Sequence, residues 1–180
     1  MIPSSSSQSR CVAQIRWMIR RDMVEVLSIE QQCFEWAWTE EDFLTCLRQR
    51  NCIGMVAEYQ ERVVGYMIYE LLPDELHLLH IAVTPRVQRQ GVGTQMVEKL
   101  KHKLTQQRRS EIRIEVRESN LAAQLFLRSQ RFRATHVLRG FFADSGEDAY
   151  VMRYVVGSET DEWTPAVTDH ISRMWEYPSP

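Results

Sequence analysis

The stretch Ile81-Ala82-Val83-Thr84-Pro85-Arg86-Val87-Gln88-Arg89-Gln90-Gly91-Val92-Gly93-Thr94 constrains this chain more than any other. An apolar run ends in a proline, which cannot donate to a strand ladder. A basic loop follows, and two glycines open a helical pattern with Val92, Met96, Val97, Leu100 and Leu104 on one side. Residues 75–83 before the loop and 111–116 after the helix both read as strands. A strand, a crossover helix and a second strand make a parallel β-α-β unit, and the rest of the chain must pack around it.

The flanking pattern supplies that packing. Residues 13–20 alternate apolar and polar side chains and read as a strand. Asp22 is placed to cap a helix running to about Cys33, with Val26, Leu27 and Ile29-Glu30 in its apolar stripe. Thr39 caps a second short helix through Phe43 and Leu47, with Glu40, Glu41 and Asp42 in a first turn whose dipole favours acids. Residues 51–58 and 62–70 are β-rich runs joined by Tyr59-Gln60-Glu61 as a hairpin. Ser119-Asn120 caps a helix to about Arg128. Residues 132–139 and 148–155 close the pattern as an antiparallel pair around Ala143-Asp144-Ser145-Gly146. The order β-α-α-β-β-β-α-β-α-β-β makes the fold class mixed α/β, α+β-like, with a mostly antiparallel sheet and one parallel crossover.

A length of 180 residues suits one domain, placed at 11–156 between a polar lead-in at 1–10 and an acidic tail at 157–180. Apolar residues at 44% and charged residues at 26% exclude a disordered or fibrous chain. No run nears the ~18 apolar residues of a spanning helix, so no membrane partner is expected. The first residues lack the apolar core of a secretory signal, so a cytoplasmic location is expected. Cys11, Cys33, Cys46 and Cys52 have neither metal-ligand nor framework spacing, and read as free buried thiols with no metal.

The formal charge is −2, but residues 86–117 carry nine Lys and Arg against three Glu. A basic middle in a near-neutral chain fits a small phosphorylated ligand, and not nucleic acid, which demands a wide basic footprint. The tail at 157–180 holds five acids against Arg173, and at low salt could be drawn to that middle. Oligomeric state is left open by the sequence.

Glycines at 91 and 93 let backbone N–H groups crowd around one anion, and the helix that opens there adds unpaired N–H groups and its positive dipole end. Arg86 and Arg89 can add charge-assisted contacts. A bare GxG is explained equally well by a turn. It is not the GxGxxG of dinucleotide sites, nor the GxxxxGK[ST] of a P-loop. The wider pattern, Ile81-Ala82-Val83 followed by Gln88, Gly91 and Gly93, resembles the acetyl-CoA signature of the GNAT N-acetyltransferases. The likeness runs from about residue 14 to 155. Glu115-Val116-Arg117-Glu118-Ser119-Asn120, Ser145-Gly146-Glu147-Asp148-Ala149-Tyr150-Val151-Met152 and Trp38-Thr39-Glu40-Glu41-Asp42-Phe43 bring it closest to the ribosomal-protein-alanine N-acetyltransferase branch. The resemblance implies the GNAT fold, with helices on both faces of the sheet, and acetyl-CoA as cosubstrate. It implies that the backbone of Ile81, Ala82 and Val83 pairs with the pantetheine arm. The amides of Arg89, Gln90, Gly91, Val92, Gly93 and Thr94 would hold the pyrophosphate, with Gln88 and Asn120 completing the cofactor site. Asn120 serves equally well as a plain helix cap.

Acetyl transfer needs a neutral amine, and an α-amino group with pKa ~7.7–8.0 is mostly protonated at pH 7. A positioned base must take the proton. Glu115 matches the family's catalytic glutamate and shares a strand face with Arg113 and Arg117, where the plain alternative is a surface ion pair. The branch carries a tyrosine acid in its fourth helix, but Leu127 stands there, Arg131 replaces the glycine before Phe132, and Phe141-Phe142 replaces a tyrosine pair. His77 is a second candidate base, placed by period two on the face of Ile81, with Glu75 weaker beside it and His80 facing the other way. Tyr150 and Tyr154 on the late strand are further candidates, and Trp36 and Trp38 either border the acceptor groove or pack in the core. The acceptor implied is an amine, foremost a protein N-terminus. A small amine, an antibiotic or a lysine side chain stays open, as does a catalytically weak acyl-CoA-binding module.

Overall fold

The computed structural model describes residues 10–157. The acidic tail, with Ile171, Met174 and Trp175, lies outside the described residues. The chain runs β1 (Gln14–Trp17), α1 (Met23–Cys33), α2 (Glu40–Leu47), β2 (Cys52–Tyr59), β3 (Arg62–Leu71), β4 (Glu75–Val83), α3 (Val92–Gln106), β5 (Glu111–Arg117), α4 (Leu121–Ser129), β6 (Arg133–Phe142) and β7 (Glu147–Val155). One sheet takes the order β1-β2-β3-β4-β5-β7-β6, and only β4 and β5 pair in parallel. This is the mixed α/β sheet that the sequence order predicts.

Two apolar cores cover the two sheet faces. On one face α3 and α4 bury Met96, Leu100, Leu104 and Leu127 against Met67, Tyr69, Leu76, Leu78 and Ile112. On the other, α1 and α2 bury Val26, Ile29 and Phe43 against Val56, Tyr66 and Ile68. Fully burying such a side chain is worth about 1.5–3 kcal/mol, so both helix layers are held firmly. No helix among the described residues is long and apolar enough to cross a membrane.

The first strand is shorter than its alternation predicts, because residues 20–22 close into a 3-10 turn before α1. Asp22 does not cap α1. Its carboxylate accepts from the Ile19 amide at 2.8 Å and from both terminal nitrogens of Arg16 at 2.7 and 2.9 Å. Arg16 also holds Glu58 on β2 at 2.6 Å, so one guanidinium ties β1, β2 and the entry to α1. Thr39 caps α2 as expected, in a reciprocal box with Asp42. β6 runs on to Phe142 because Asp148 accepts from the Gly140 amide at 2.8 Å and pairs with Arg139, holding an irregular wide turn in register.

The feature that most shapes the site is a bulge in β4. Ile68 of β3 pairs with His80, but the next residue, Tyr69, pairs with Leu78, leaving Leu79 extra. A bulge reverses the side-chain alternation beyond it and bends the strand. Leu76 and Leu78 therefore share the α3 face with Ile81, whereas His77, His80 and Ala82 share the α1 face. This corrects the period-two expectation that His77 lies with Ile81 and opposite His80. Pairing of β4 with β5 ends at His77 with Arg113, just before the bulge. Beyond that point the two parallel strands part.

Candidate active site

Glu115 and His77 meet where β4 and β5 part. The Glu115 Oε2 lies 2.6 Å from His77 Nε2, and its other oxygen pairs with Arg113. Arg113 in turn donates to Glu75 at 2.8 Å, and His77 Nδ1 stands 3.5 Å from a Glu70 oxygen. The sequence offered Glu115 and His77 as separate candidate bases. The fold makes them one unit, with Glu75 serving only to hold Arg113.

Burial pushes the Glu115 carboxyl up, but the His77 hydrogen bond and the Arg113 charge outweigh it and hold the group below the usual glutamate value. Glu115 is thus ionised at neutral pH and can only accept hydrogen bonds. In its neutral form the imidazole donates to Glu115 from Nε2, which leaves the lone pair on Nδ1. That nitrogen points toward Glu70. Glu70 also borders a cleft with Trp38, Asp42, Thr45 and Leu79. Three carboxylates, Glu70, Glu75 and Glu115, surround one arginine and one histidine. Glu70 and Asp42 give the cleft an acidic lining, and Glu70 links it to His77.

A second buried carboxylate supports the cleft wall. Glu30, read from sequence as part of an apolar stripe, is fully buried and accepts from the Tyr66 hydroxyl and, at 2.8 Å, from the Trp38 amide. Burial alone would raise its pKa, but His80, 3.5 Å away, together with Tyr66 and the Trp38 amide, holds it below the ordinary value. His80 packs against Trp38 with ring centres 4.4 Å apart and planes tilted by 40°. Glu30 therefore fixes Trp38 over the cleft, while Trp36 stays about half exposed. An acid inside an apolar helix stripe was the available signal, since such a group must find buried partners.

The other sequence candidates fall elsewhere. Tyr150 and Tyr154 pair across from Val116 and Ile112 and pack into the α3 core, on the opposite sheet face from Glu115. Leu127 is 1% exposed and packs in that same core. Arg117 does not pair with Glu115. It reaches the β6–β7 turn, bonding Asp144 at 2.5 Å and Glu147 at 2.9 Å, with its guanidinium 4.0 Å from the Phe142 ring centre.

The glycine loop forms an amide cradle. Arg89 and Gly91 both take left-handed backbone angles, with φ of 63° and 88°. Gly91 is the N-cap of α3, whose first turn carries no acid, so the amides of residues 91–94 open toward one point without a built-in anion. Gly93 lets α3 and α4 approach closely: a Cβ there would stand 3.1 Å from the Phe126 ring, which would have to shift to admit it. Gln88 donates to the Val83 carbonyl at 2.8 Å, tying the loop to the end of β4, and the Gln90 side chain donates to the Arg86 carbonyl at 3.3 Å. Thr94 accepts from Gln130 at 3.4 Å, and buried Val92 anchors the helix start. Asn120 caps α4 by accepting from Ala123 at 3.0 Å. Ile81, Ala82 and Val83 pair with β3 on one edge, and their other edge faces the gap left by β5. Arg86 lines a cleft beneath α1 with Glu25, Gln32 and Thr84. A cradle of amides with one free strand edge beside it fits a phosphorylated, amide-bearing ligand.

The acetyltransferase (GNAT) family description matches residues 23–132. The [ribosomal protein bS18]-alanine N-acetyltransferase of Escherichia coli is 29% identical over 133 residues, covering 73% of this chain and 89% of that protein. Its crystal structure superposes with a TM-score of 0.73 at 25% identity, over 85% of this chain and 99% of that one. An N-alpha-acetyltransferase of Saccharolobus solfataricus is 32% identical over 123 residues, covering 61% of this chain and 73% of that protein. A GNAT acetyltransferase from Elizabethkingia anophelis, crystallised with acetyl-CoA bound, has the same fold at 18% identity, with a TM-score of 0.65 over 80% of this chain and 98% of that one. With the sheet order, the parted strands and the glycine cradle agreeing, this chain belongs to the GNAT acetyltransferase family.

Proposed function

We propose that this protein transfers the acetyl group of acetyl-CoA to the α-amino group of a protein N-terminus, with ribosomal protein as the acceptor class its relatives' names suggest. The observation that carries the reading is the His77–Glu115 pair, set beside Glu70 at the mouth of the gap between β4 and β5. An ammonium bound between Glu70 and His77 gives its proton to Nδ1, and the ionised Glu115 stabilises the imidazolium. The freed amine attacks the acetyl carbonyl, a C–N bond forms, the C–S bond breaks, and the proton that the new amide nitrogen sheds goes to the departing thiolate, so CoA leaves as the free thiol. The residues of the cradle would hold the pyrophosphate, the free edge of β4 the pantetheine amides, and acetyl-CoA supplies the activated acyl group. Positioning two substrates in one gap supplies a large share of the rate. The four cysteines are all free, which suits a reducing, cytoplasmic setting.

The test is release of CoA thiol with a panel of short peptides differing at the N-terminal residue, alongside lysine peptides with blocked N-termini and small amines. Turnover confined to free N-termini is the expected result. Turnover confined to small amines or lysine side chains would overturn the acceptor assignment, and acetyl-CoA binding without turnover on any amine would overturn the enzymatic one.

A further inference from the structure

Arg10 lies against the amide cradle, although it is far from it in sequence. Its Cγ and Nε are 3.8 and 3.9 Å from the point where a Cβ on Gly91 would stand. The following residues are pinned there. The Cys11 amide donates to the Gln90 carbonyl at 3.0 Å. The side-chain amide of Gln95, in the first turn of α3, donates to the Cys11 carbonyl at 2.6 Å and accepts from the Ala13 amide at 3.0 Å. Cys11 itself is 2% exposed. Gln95 thus copies the two bonds of a strand neighbour, fastening the chain before β1 to the helix that forms the cradle. Arg10 is the first residue ahead of this fastening, is exposed, and has no carboxylate partner among the described residues. The neighbouring cradle residue Arg89 is likewise exposed, and α3 offers no acid of its own in its first turn.

Resting on the acetyl-CoA reading above, we infer that Arg10, held by the Gln95–Cys11 latch, is a cofactor-binding residue that grips a phosphate of the CoA moiety at the cradle. A guanidinium beside a ring of amides adds charge and a fork of donors matched to phosphate oxygens. The chemistry recognised is a phosphate ester, supplied either by the pyrophosphate or by the ribose phosphate. Gln95 acts as a positioning residue, through the backbone that carries Arg10.

Binding of CoA, 3′-dephospho-CoA and pantetheine to the full chain would be measured by calorimetry for the wild type, Arg10→Ala, Arg10→Lys, Gln95→Leu and the Arg10→Ala/Gln95→Leu pair. We expect Arg10→Ala to raise the Kd for CoA about three- to tenfold, as befits one exposed cation on a multiply charged ligand. Arg10→Lys should restore part of the loss, and pantetheine binding should not move. Gln95→Leu should reproduce the loss, with no further loss in the pair. A loss that persists with dephospho-CoA assigns the contact to the pyrophosphate, and one that vanishes assigns it to the ribose phosphate. A wild-type Kd for CoA in Arg10→Ala, or an equal loss for pantetheine, would overturn the inference while leaving the acetyltransferase reading intact. Absence of CoA binding in the wild type would overturn both.

Discussion

Glu115→Gln is the sharpest probe of the proton relay. The substitution keeps shape and volume but removes the charge that His77 rests on at 2.6 Å. It also offers an amide N–H where only an acceptor stood. The imidazole can then accept at Nε2 and carry its proton on Nδ1, so the lone pair facing Glu70 is lost. A general base contributes about 10²–10⁴ in rate, and a wrong tautomer forfeits that contribution, so kcat/KM should fall by about that factor. The fold should survive, because Arg113 keeps Glu75 and His77 keeps Glu70, and a replaced hydrogen bond costs about 1 kcal/mol. His77→Gln should cost as much, and the double variant no more than the worse single, because two residues working as one unit are not additive. Steady-state kinetics with the best N-terminal peptide, paired with calorimetry showing unchanged CoA binding, reads all three. Single losses that multiply in the double variant, to within the ~0.4 kcal/mol scatter of independent sites, would show that the two side chains act separately and refute the relay.

Leu127→Tyr restores the hydroxyl of the related branch, but the side chain is 1% exposed, so overpacking should cost about 1–3 kcal/mol and lower the thermal midpoint. An unchanged midpoint with raised kcat would show that the position opens toward the reacting atoms. Gly93→Ala drives a methyl to 3.1 Å from Phe126, and should weaken CoA binding together with stability; a wild-type Kd in calorimetry would count against the packed cradle. Burial raises the Glu30 and Glu115 carboxyls, but their hydrogen bonds leave both below ordinary values, and the Arg16 bonds lower Asp22. Such groups bind more protons unfolded than folded, so their stability contribution is present above about pH 4.3 and drains away as pH falls further. Urea midpoints measured from pH 7 to pH 3 should be level and then fall, and a rise toward acid would contradict the assignment. Cys46 and Cys52 hold their sulphurs 2.7 Å apart, the Cys46 thiol lowered by its bond to Cys52 and the Cys52 thiol raised by the same bond. Oxidised glutathione should join them by thiol exchange with release of two reduced glutathiones, seen as loss of two protons' mass on the intact chain. Stable glutathione adducts there instead would show that the pair cannot close.

Element order was legible because β1 and β5 alternate or carry strong β-formers, and because turn residues such as Pro73, Pro85 and Gly146 fall between elements. The glycine loop ahead of α3 was legible for a like reason, since a left-handed backbone turn favours glycine. The sheet faces of β4 were not. Parity counted along a strand assumes no extra residue, and nothing in Leu78-Leu79-His80 announces that Leu79 will be left over. Arg10 was equally hidden, since its place depends on Gln95 bonding across more than eighty positions of sequence. Asp22 misled because a helix-cap residue type was claimed first by an arginine two strands could share.

The bulge also explains how one sheet could serve the two substrates of the proposed reaction. If β4 stayed regular, it would go on pairing with β5, and its free edge would vanish into the ladder. The extra residue bends it away after His77, which leaves the amides of residues 81–83 available on one side. Beside the bulge His80 sits on the α1 face, where it packs against Trp38 and completes the hydrogen-bonded set around Glu30. Deleting Leu79 would therefore do more than shorten a strand. It would leave His80 on the α1 face, since Leu78, His80 and Ile81 would then alternate regularly, but it would remove the bend and close the gap that separates the cradle from the proton relay, so the free edge of residues 81–83 should be lost while the bonded set around Glu30 is kept.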